Sequence, residues 1–510
     1  MQVCIAYSRF WTGLALISIN HKGENEMTGN FIGIDFGTTN TSVVMILKDQ
    51  YGERIKLLGE NGEFPFASLL SIDYNNKVQI GNEVKKNRDS LAEVGQVVSS
   101  FKTLLGTNNK LRINNNEFTP VEVVTKYLEC LKSFILKTHS VDISEAVFSF
   151  PVDFSPEART ELREAAKMAG IKVNNLISES TAAYLATRES TKGLSRVMVI
   201  DWGGGTLDIS ILEIEGSIVK ETTVYGEKIG GDDIDKELAE RIHSQFNLKI
   251  DDKSNCVQFN EMSYEQRDKM ISACERAKIE ISEDGEDYLL TIRNYGKYGT
   301  KTLMISNDMF SDIVKPIIRN KVLNAIDIAM NRAEVSKGSI DAVIIAGGSS
   351  NLRPFADAIE NVFGIEKIIR PEKFQFISAQ GAAMMPLIGG KFKLNDDIGI
   401  VLSDESIFPL FRKNIDGVGS KGDTHTFSLV EDSPDAHFII TNGNGRIVYG
   451  KVDIPTKGFL KERLIVNSSI DFDQIARISI KSDSVPDEYK NNSVEISKLT
   501  YYLNPQDSFS

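Results

Sequence analysis

Asp35-Phe36-Gly37-Thr38-Thr39 follows an apolar run, Phe31-Ile32-Gly33-Ile34. The pattern returns as Asp201-Trp202-Gly203-Gly204-Gly205-Thr206 behind Val197-Met198-Val199-Ile200. Each copy leads through small residues and threonine into a second strand-like stretch, at 42–47 and at 207–214. A strand, a tight Gly/Thr turn and a returning strand bring several backbone N–H groups and a hydroxyl to one point, which suits an anion. The acid heading each turn is placed to hold a cation that accompanies the anion. Two such hairpins in one chain predict two lobes that grip a metal-bound polyphosphate from opposite sides.

Around these hairpins, from Asn30 to about Leu387, strand-like and helix-like segments alternate as in layered α/β domains. Residues 146–150 read as a buried strand ending at Pro151. Ser155 then caps a helix with Pro156 at its first position, Gly170 stops it, and a strand follows at 173–177. Ser263-x-x-Gln266 predicts the start of the helix that carries Cys274. The apolar run 342–346 is broken by Gly347-Gly348 before a helix at 353–363. Beyond Gly389 period-two alternation dominates, at 398–402, 426–430, 437–441, 446–452, 464–470 and 475–480, with hairpin turns offered by Asn442-Gly443 and Asn444-Gly445. This predicts a separate β-domain.

At 510 residues, two to four domains are expected. A composition of 41% hydrophobic and 25% charged residues is that of an ordinary globular chain. The net charge of −13 argues against a nucleic-acid backbone or an anionic membrane as main partner. Cys4, Cys130, Cys256 and Cys274 show no paired spacing, so neither a disulfide framework nor a zinc site is indicated. The five histidines are scattered singly and read as structural. A reducing, cytoplasmic setting is expected. The apolar run 10–19 is too short to span a bilayer and weakly resembles a signal sequence. A start of translation at Met27 agrees better with the remaining chain.

A glycine-threonine turn alone is usually structural. Here the acid precedes the turn both times, and two further glycine pairs occur. Gly347-Gly348-Ser349-Ser350 follows a strand, and Gly230-Gly231-Asp232-Asp233 precedes a helix whose N-terminus favours negative charge. Neither GxxxxGK[ST] nor GxGxxG is present.

These segments resemble the seventy-kilodalton heat-shock protein (DnaK-type) chaperones of the actin-like ATPase superfamily. The resemblance covers about residues 31–482. Its carriers are GIDFGTTN (33–40), FKTLLG (101–106), FPVDFSPEAR (150–159), ISESTAAYLA (177–186), DWGGGTLD (201–208), IGGDDID (229–235), ACERAKIEIS (273–282), AGGSSNLRPF (346–355) and SAQGAA (378–383). The implied fold is α/β: a two-lobed actin-like (ribonuclease H-like) ATPase domain followed by a small all-β sandwich. The implied boundaries are an N-terminal extension at 1–29, the nucleotide-binding domain at 30–389, a linker at 390–397, a β-sandwich without helical lid at 398–503, and a polar tail at 504–510.

The resemblance implies ATP or ADP with Mg2+ between the lobes. Asp35 and Asp201 would hold the metal, largely through waters, since Mg2+ dehydrates reluctantly. Gly37, Thr38, Thr39, Asn40, Gly203, Gly204, Gly205 and Thr206 would cradle phosphates, with Gly230 and Gly231 beside them. Lys102 would offset charge on the transferring phosphoryl, although alone it reads as a surface lysine. Glu179 and Asp208 would position the attacking water, with Thr206 counted among the catalytic groups. Glu275, Lys278 and Ser282 share one helix face. Spacing alone makes that a solvated charged face, whereas the resemblance puts it on ribose and adenine. Gly347, Gly348, Ser349 and Arg353 would form the opposite wall. Ile279 and Asn351 stand where the family usually carries arginine.

Pro151, Arg159 and Glu179 match elements that relay nucleotide state in the family, and serve equally as local packing and capping features. Lys391-Phe392-Lys393-Leu394-Asn395-Asp396-Asp397 replaces the family's leucine-rich linker, so weaker docking is expected. The expected function is a chaperone-like ATPase of low turnover that couples ATP to a polypeptide client or dedicated protein partner. A J-domain co-chaperone and a nucleotide-exchange factor are implied partners. The alternatives are an ATP-binding scaffold with little hydrolysis and, more remotely, a sugar kinase-like or filament-forming protein.

Overall fold

β1 (Gly29–Phe36) and β2 (Asn40–Asp49) form the first hairpin, with Asp35 opposite Ser42. β3 (Gly52–Leu57) extends it antiparallel. The computed structural model describes residues 29–505 apart from 89, 92–94, 152–153, 249–256, 459–461, 484–491 and 498. The apolar run at 10–19, Met27, Cys4 and Cys256 lie outside the described residues. Short strands between 66 and 118 surround α1 (Asn82–Lys86). α2 (Pro120–His139) starts at a reciprocal Thr119–Glu122 capping box. β4 (Glu145–Phe150), α3 (Pro156–Met168, with Ser155 accepting from the Ala158 N–H) and β5 (Lys172–Ser178) complete the first lobe. Its sheet runs β5-β4-β1-β2-β3, with β4 parallel to β1 and β5 parallel to β4.

The second lobe repeats this order. After α4 (Glu179–Ala186) come β6 (Arg196–Trp202), β7 (Leu207–Glu215) and β8 (Ile218–Glu227). α5 (Gly231–Leu248) and α6 (Tyr264–Asp284) follow, then the hairpin β9 (Tyr288–Ile292) and β10 (Lys301–Ile305). α7 (Asn307–Ile317), α8 (Leu323–Arg332), β11 (Ala342–Ala346), α9 (Arg353–Phe363), β12 (Ile368–Ile369) and α10 (Ile377–Leu387) end it. The strand order is β12-β11-β6-β7-β8, with β11 parallel to β6 and β7 antiparallel to it. Position for position this is the first lobe's sheet, so the repeated motif belongs to a repeated architecture.

Two helices are exchanged between the lobes. α4, which follows the first lobe's last strand, packs on β6 and β7, while α10, after the second lobe's last strand, packs on β1, β2 and β4. They lie against each other at a contact too close for any side chain. A Cβ on Gly381 would fall 1.8 Å from the Ala182 carbonyl oxygen, and one on Gly33 would fall 2.0 Å from that of Ala379.

β13 (Lys391–Leu394) leads to β14 (Ile398–Val401), β15 (Ile407–Phe411), β16 (His425–Ser428), β17 (Asp435–Asn442), β18 (Val448–Pro455), β19 (Arg463–Ile470), β20 (Ala476–Ser482) and β21 (Ser493–Ile496). They form two antiparallel four-stranded sheets, β15-β14-β17-β18 and β16-β19-β20-β21, which share one apolar core including Ile400, Phe411, Ile440, Val466 and Ile478. Six of these eight strands lie within about three residues of the expected ones, because alternation marks which side chains face that core, whereas β15 and β21 were not anticipated.

One strand departs from the expected boundaries. β22 (Tyr501–Asn504), anticipated at the end of the β-domain and the start of a polar tail, pairs instead with β8 and β13 in the second lobe's sheet. Burial of Tyr502 and Leu503 accounts for this placement. The expected linker is correspondingly part strand. Among the described residues no helix is long and apolar enough to cross a membrane.

Candidate functional site

The two hairpins close in the same way. The Gly37 N–H donates to the Asn40 carbonyl at 3.0 Å and the Gly203 N–H to that of Thr206 at 2.9 Å. Thr38, Thr39, Gly204 and Gly205 therefore lie in the turns, outside the ladder. The first turn is propped by Ser68, whose N–H donates to the Thr39 carbonyl and whose hydroxyl donates to the Gly37 carbonyl at 2.7 Å. The second is propped from the start of α5: the Gly231 and Asp232 N–H groups donate to the Gly203 and Gly204 carbonyls, and the Ser349 hydroxyl donates to Gly203 at 2.7 Å. The turns meet, for a Cβ on Gly204 would fall 1.9 Å from Thr39 Oγ1. That oxygen is buried without a hydrogen-bond partner among the described residues.

Behind the turns sits a group of acids around one lysine. Lys102, on a 3-10 turn at Phe101–Leu104, is 5% exposed. Its Nζ lies 3.4 Å from Glu179 Oε1 and 5.6 Å from the Phe154 ring centre. Asp208 faces Asp201 across the β6–β7 pair. The neighbouring parallel strand distinguishes the two turn acids. Beside Asp35 stands Ser149, whose hydroxyl donates to Asp35 Oδ1 at 2.8 Å, whereas beside Asp201 stands Ala346, which offers no donor. Burial raises the Asp35 carboxyl, with Lys102 and Ser149 opposing. Asp201 is pushed up to about 8 by burial and by repulsion from Asp35 and Asp208. Burial lifts Glu179 well above the carboxylate range against the pull of Lys102.

These acids are raised because they are buried together with too little positive charge, a deficit that a divalent cation relieves. No group of three or more His, Cys, Asp or Glu side chains among the described residues is arranged to ligate a metal directly. Two carboxylates without further side-chain ligands would suit Mg2+, which keeps most of its waters, better than Zn2+ or Ca2+. The partnerless Thr39 hydroxyl and the glycine-lined turns likewise fit phosphate oxygens.

The expected adenine face lies on α6, but its side chains have partners within the chain. Lys278 Nζ donates to the Gly231 carbonyl at 2.9 Å and to Asp235 Oδ2 at 2.6 Å, tying α6 to the start of α5. Burial still holds the Asp235 carboxyl at about 7. Ser282 donates back to the Lys278 carbonyl. Glu275 Oε1 meets Lys85 Nζ of α1 at 2.6 Å. Burial would raise that carboxyl, yet Lys85 brings it below its ordinary value. A second pair, Arg88 just beyond α1 to Asp268 of α6 at 2.5 Å, runs beside it, so two ion pairs bridge the first lobe to the second. On the opposite wall, Gly347 has φ +80° and a Cβ there would strike the Trp202 carbonyl, whereas Gly348 faces open space. Arg353 donates to the Asp284 carbonyl and packs its guanidinium over Gly285. Ile279 is half exposed.

A family profile described as Hsp70 protein matches residues 107–404. The chain is also 30% identical over 406 residues to chaperone protein DnaK of Mycoplasmoides gallisepticum. The chain belongs to the Hsp70 family. That alignment covers 77% of this chain and 65% of the DnaK chain, so the chain spans less than two thirds of the curated relative it matches. The Hsp70 profile takes in the second hairpin, the α6 motif and Gly347-Gly348, and it begins after Lys102.

Sequence reasoning did not single out Ser149, Ser68, Lys85, Arg88 or Asp268. Ser149 sits in an apolar strand, and only its register beside Asp35 gives it a role. Lys85 and Arg88 belong to the charged run Lys85-Lys86-Asn87-Arg88, which reads as a solvated face until α6 is seen against it. Asp235 lay within a quoted motif without an assigned task.

Proposed function

We propose that this Hsp70-family chain binds ATP or ADP with Mg2+ between the two turns, hydrolyses ATP slowly, and couples nucleotide state to a polypeptide held by the β-domain. On this reading the twin lobes are an actin-like ATPase domain and strands β14 to β21 its β-sandwich partner. The observation that carries it is the meeting of two equivalent Asp-headed turns over a buried lysine–carboxylate pair. Asp35 and Asp201 hold the cation, and the turn N–H groups with Thr38, Thr39 and Thr206 hold phosphate oxygens. Bound Mg2+ supplies charge neutralisation and orientation of the phosphate chain. Lys102 supplies fixed positive charge beside the phosphoryl group, and Glu179 and Asp208 orient a water. ATP titration together with single-turnover hydrolysis tests this. Binding that needs Mg2+, followed by slow phosphate release, is expected, and failure to bind ATP would remove the reading.

The ion pairs of Lys85 and Arg88 with α6 tie the first lobe to the helix that carries the expected adenine face. Partly exposed pairs are worth about 0.2–1 kcal/mol each, so the Lys85→Ala/Arg88→Ala double variant should release ADP about 2- to 30-fold faster. Stopped-flow chase of a fluorescent nucleotide measures it, and the gain should shrink at high salt.

A further inference from the structure

β22 lies between two strands far from it in sequence. Leu503 and Tyr502 pair with Val219 and Lys220 of β8 on one side, and Asn504 to Tyr501 pair with Lys391 to Leu394 of β13 on the other. The far edge of β13 is covered as well. The Val418 N–H donates to the Phe392 carbonyl at 3.1 Å, the Leu394 N–H to Asp416 at 2.9 Å, and the Asn414 N–H to Leu394 at 3.1 Å. One ladder of backbone hydrogen bonds therefore runs from the second lobe through β22 and β13 into the β-domain.

The side chains of β22 reinforce the ladder. Leu503, 1% exposed, shares an apolar cluster with Val219 and Phe392. Tyr501 packs against both that cluster and the β-domain core, and its hydroxyl donates to the Gln474 carbonyl at 3.3 Å. The turn bearing Gln474 in turn holds the first lobe. Arg163 Nε of α3 donates to Asp473 at 2.5 Å, and Gln474 Nε2 donates to the Leu176 carbonyl of β5 at 3.1 Å. Pro505, which has no N–H to offer, follows the strand and ends it.

We propose that Tyr501–Asn504 is a clamp strand the chain supplies to itself: it fills the edge of β8, holds 391–394 one strand away from the second lobe, and keeps the β-domain docked. Undocking then requires extraction of this strand, with the four-residue pairing to β13 and the buried Leu503 lost together. An unpaired β8 edge is an open template for any extended segment, and here the occupant is intramolecular. The clamp stands independently of whether nucleotide is hydrolysed.

Trypsin digestion of the full chain tests the proposal, with cleavage after Lys391 and Lys393 as the readout. The Tyr502→Ser/Leu503→Asp variant should be cut there about tenfold faster or more than the parent, because the segment opens without its inner partner. A synthetic peptide of residues 499–505 should slow that cleavage again. The second arm keeps the packing intact. In the Val219→Cys/Leu503→Cys variant the two positions face each other in register. Antiparallel neighbours have Cα atoms about 4.5–5.5 Å apart, within reach of a disulfide. Oxidation should give an intramolecular 219–503 bond, detectable by mass spectrometry, and protect the Lys391 and Lys393 sites. No cross-link would overturn the placement of the strand. A cross-link without faster cleavage of the Tyr502→Ser/Leu503→Asp variant would overturn its clamping role.

Discussion

The Lys102→Ala variant should hydrolyse ATP about 100- to 1000-fold more slowly than the parent, the loss expected when one preorganised charge or donor is taken from a water-poor site. The magnitude follows from the surroundings. Lys102 is the cation that the three acids Asp35, Glu179 and Asp201 share in this structure: its charge lowers all three, and its Nζ stands 3.4 Å from Glu179. Without it Asp35, Glu179 and Asp201 lose the positive charge that opposes the effect of their burial. The fold should survive the change, and ATP affinity should change only a few-fold. Lys102→Arg should recover little, since a planar guanidinium does not replace a compact ammonium packed beside Phe154. Single-turnover hydrolysis with a parallel binding titration separates the two effects. An unchanged hydrolysis rate would take Lys102 out of the mechanism.

Gly381→Ala should be the most damaging alanine substitution among the described glycines. The added carbon would sit 1.8, 2.3 and 2.7 Å from the oxygen, carbon and Cα of Ala182, all of them backbone atoms that cannot rotate aside. Helices α4 and α10 must then separate, and because each covers the other lobe's sheet, the separation displaces both lobes. Overpacking of a tight core costs about 1–3 kcal/mol and occasionally more; a clash with backbone belongs at the upper end, with a fall in melting temperature of roughly 5 °C or more. Gly348→Ala is the internal control. Nothing lies within 4 Å of where its Cβ would stand, so its effect should stay within about 0.5 kcal/mol. Calorimetric melts of the two variants decide it. Equal melting temperatures would show that the helices accommodate a methyl group.

Features that follow from local chemistry were legible in the sequence. The hairpins announce themselves by an acid, small residues and a threonine behind an apolar run, and the β-domain by alternation that the pleat imposes. Ser155 and Pro156 mark a helix start because both act within one turn of chain. What stayed hidden depends on distant segments. Tyr501-Tyr502-Leu503-Asn504 is too short to show a period, and its partners lie at 219–220 and 391–394. The exchange of α4 and α10 rests on glycines whose only signature is smallness. Within the candidate site, the common face of Glu275, Lys278 and Ser282 could be read from spacing, but their partners Lys85, Asp235 and the Lys278 carbonyl could not. Charge alone does not say which solvated-looking run will be pressed against which.

The exchange of helices also sets a timetable for synthesis. β1, with Gly33 shaped to receive Ala379 and Ala383, is made near the start of the described chain, and its covering helix α10 about 350 residues later. At ribosomal rates of about 5–20 residues per second, that face of the first sheet waits roughly 20–70 s for its cover. During this interval a nascent chain carries Ile46, Val44 and the groove at Gly33 without their native neighbours. The last helix of the second lobe is therefore also the step that completes the first, and a chain stalled before it would leave the ribosome with its oldest strand still uncovered.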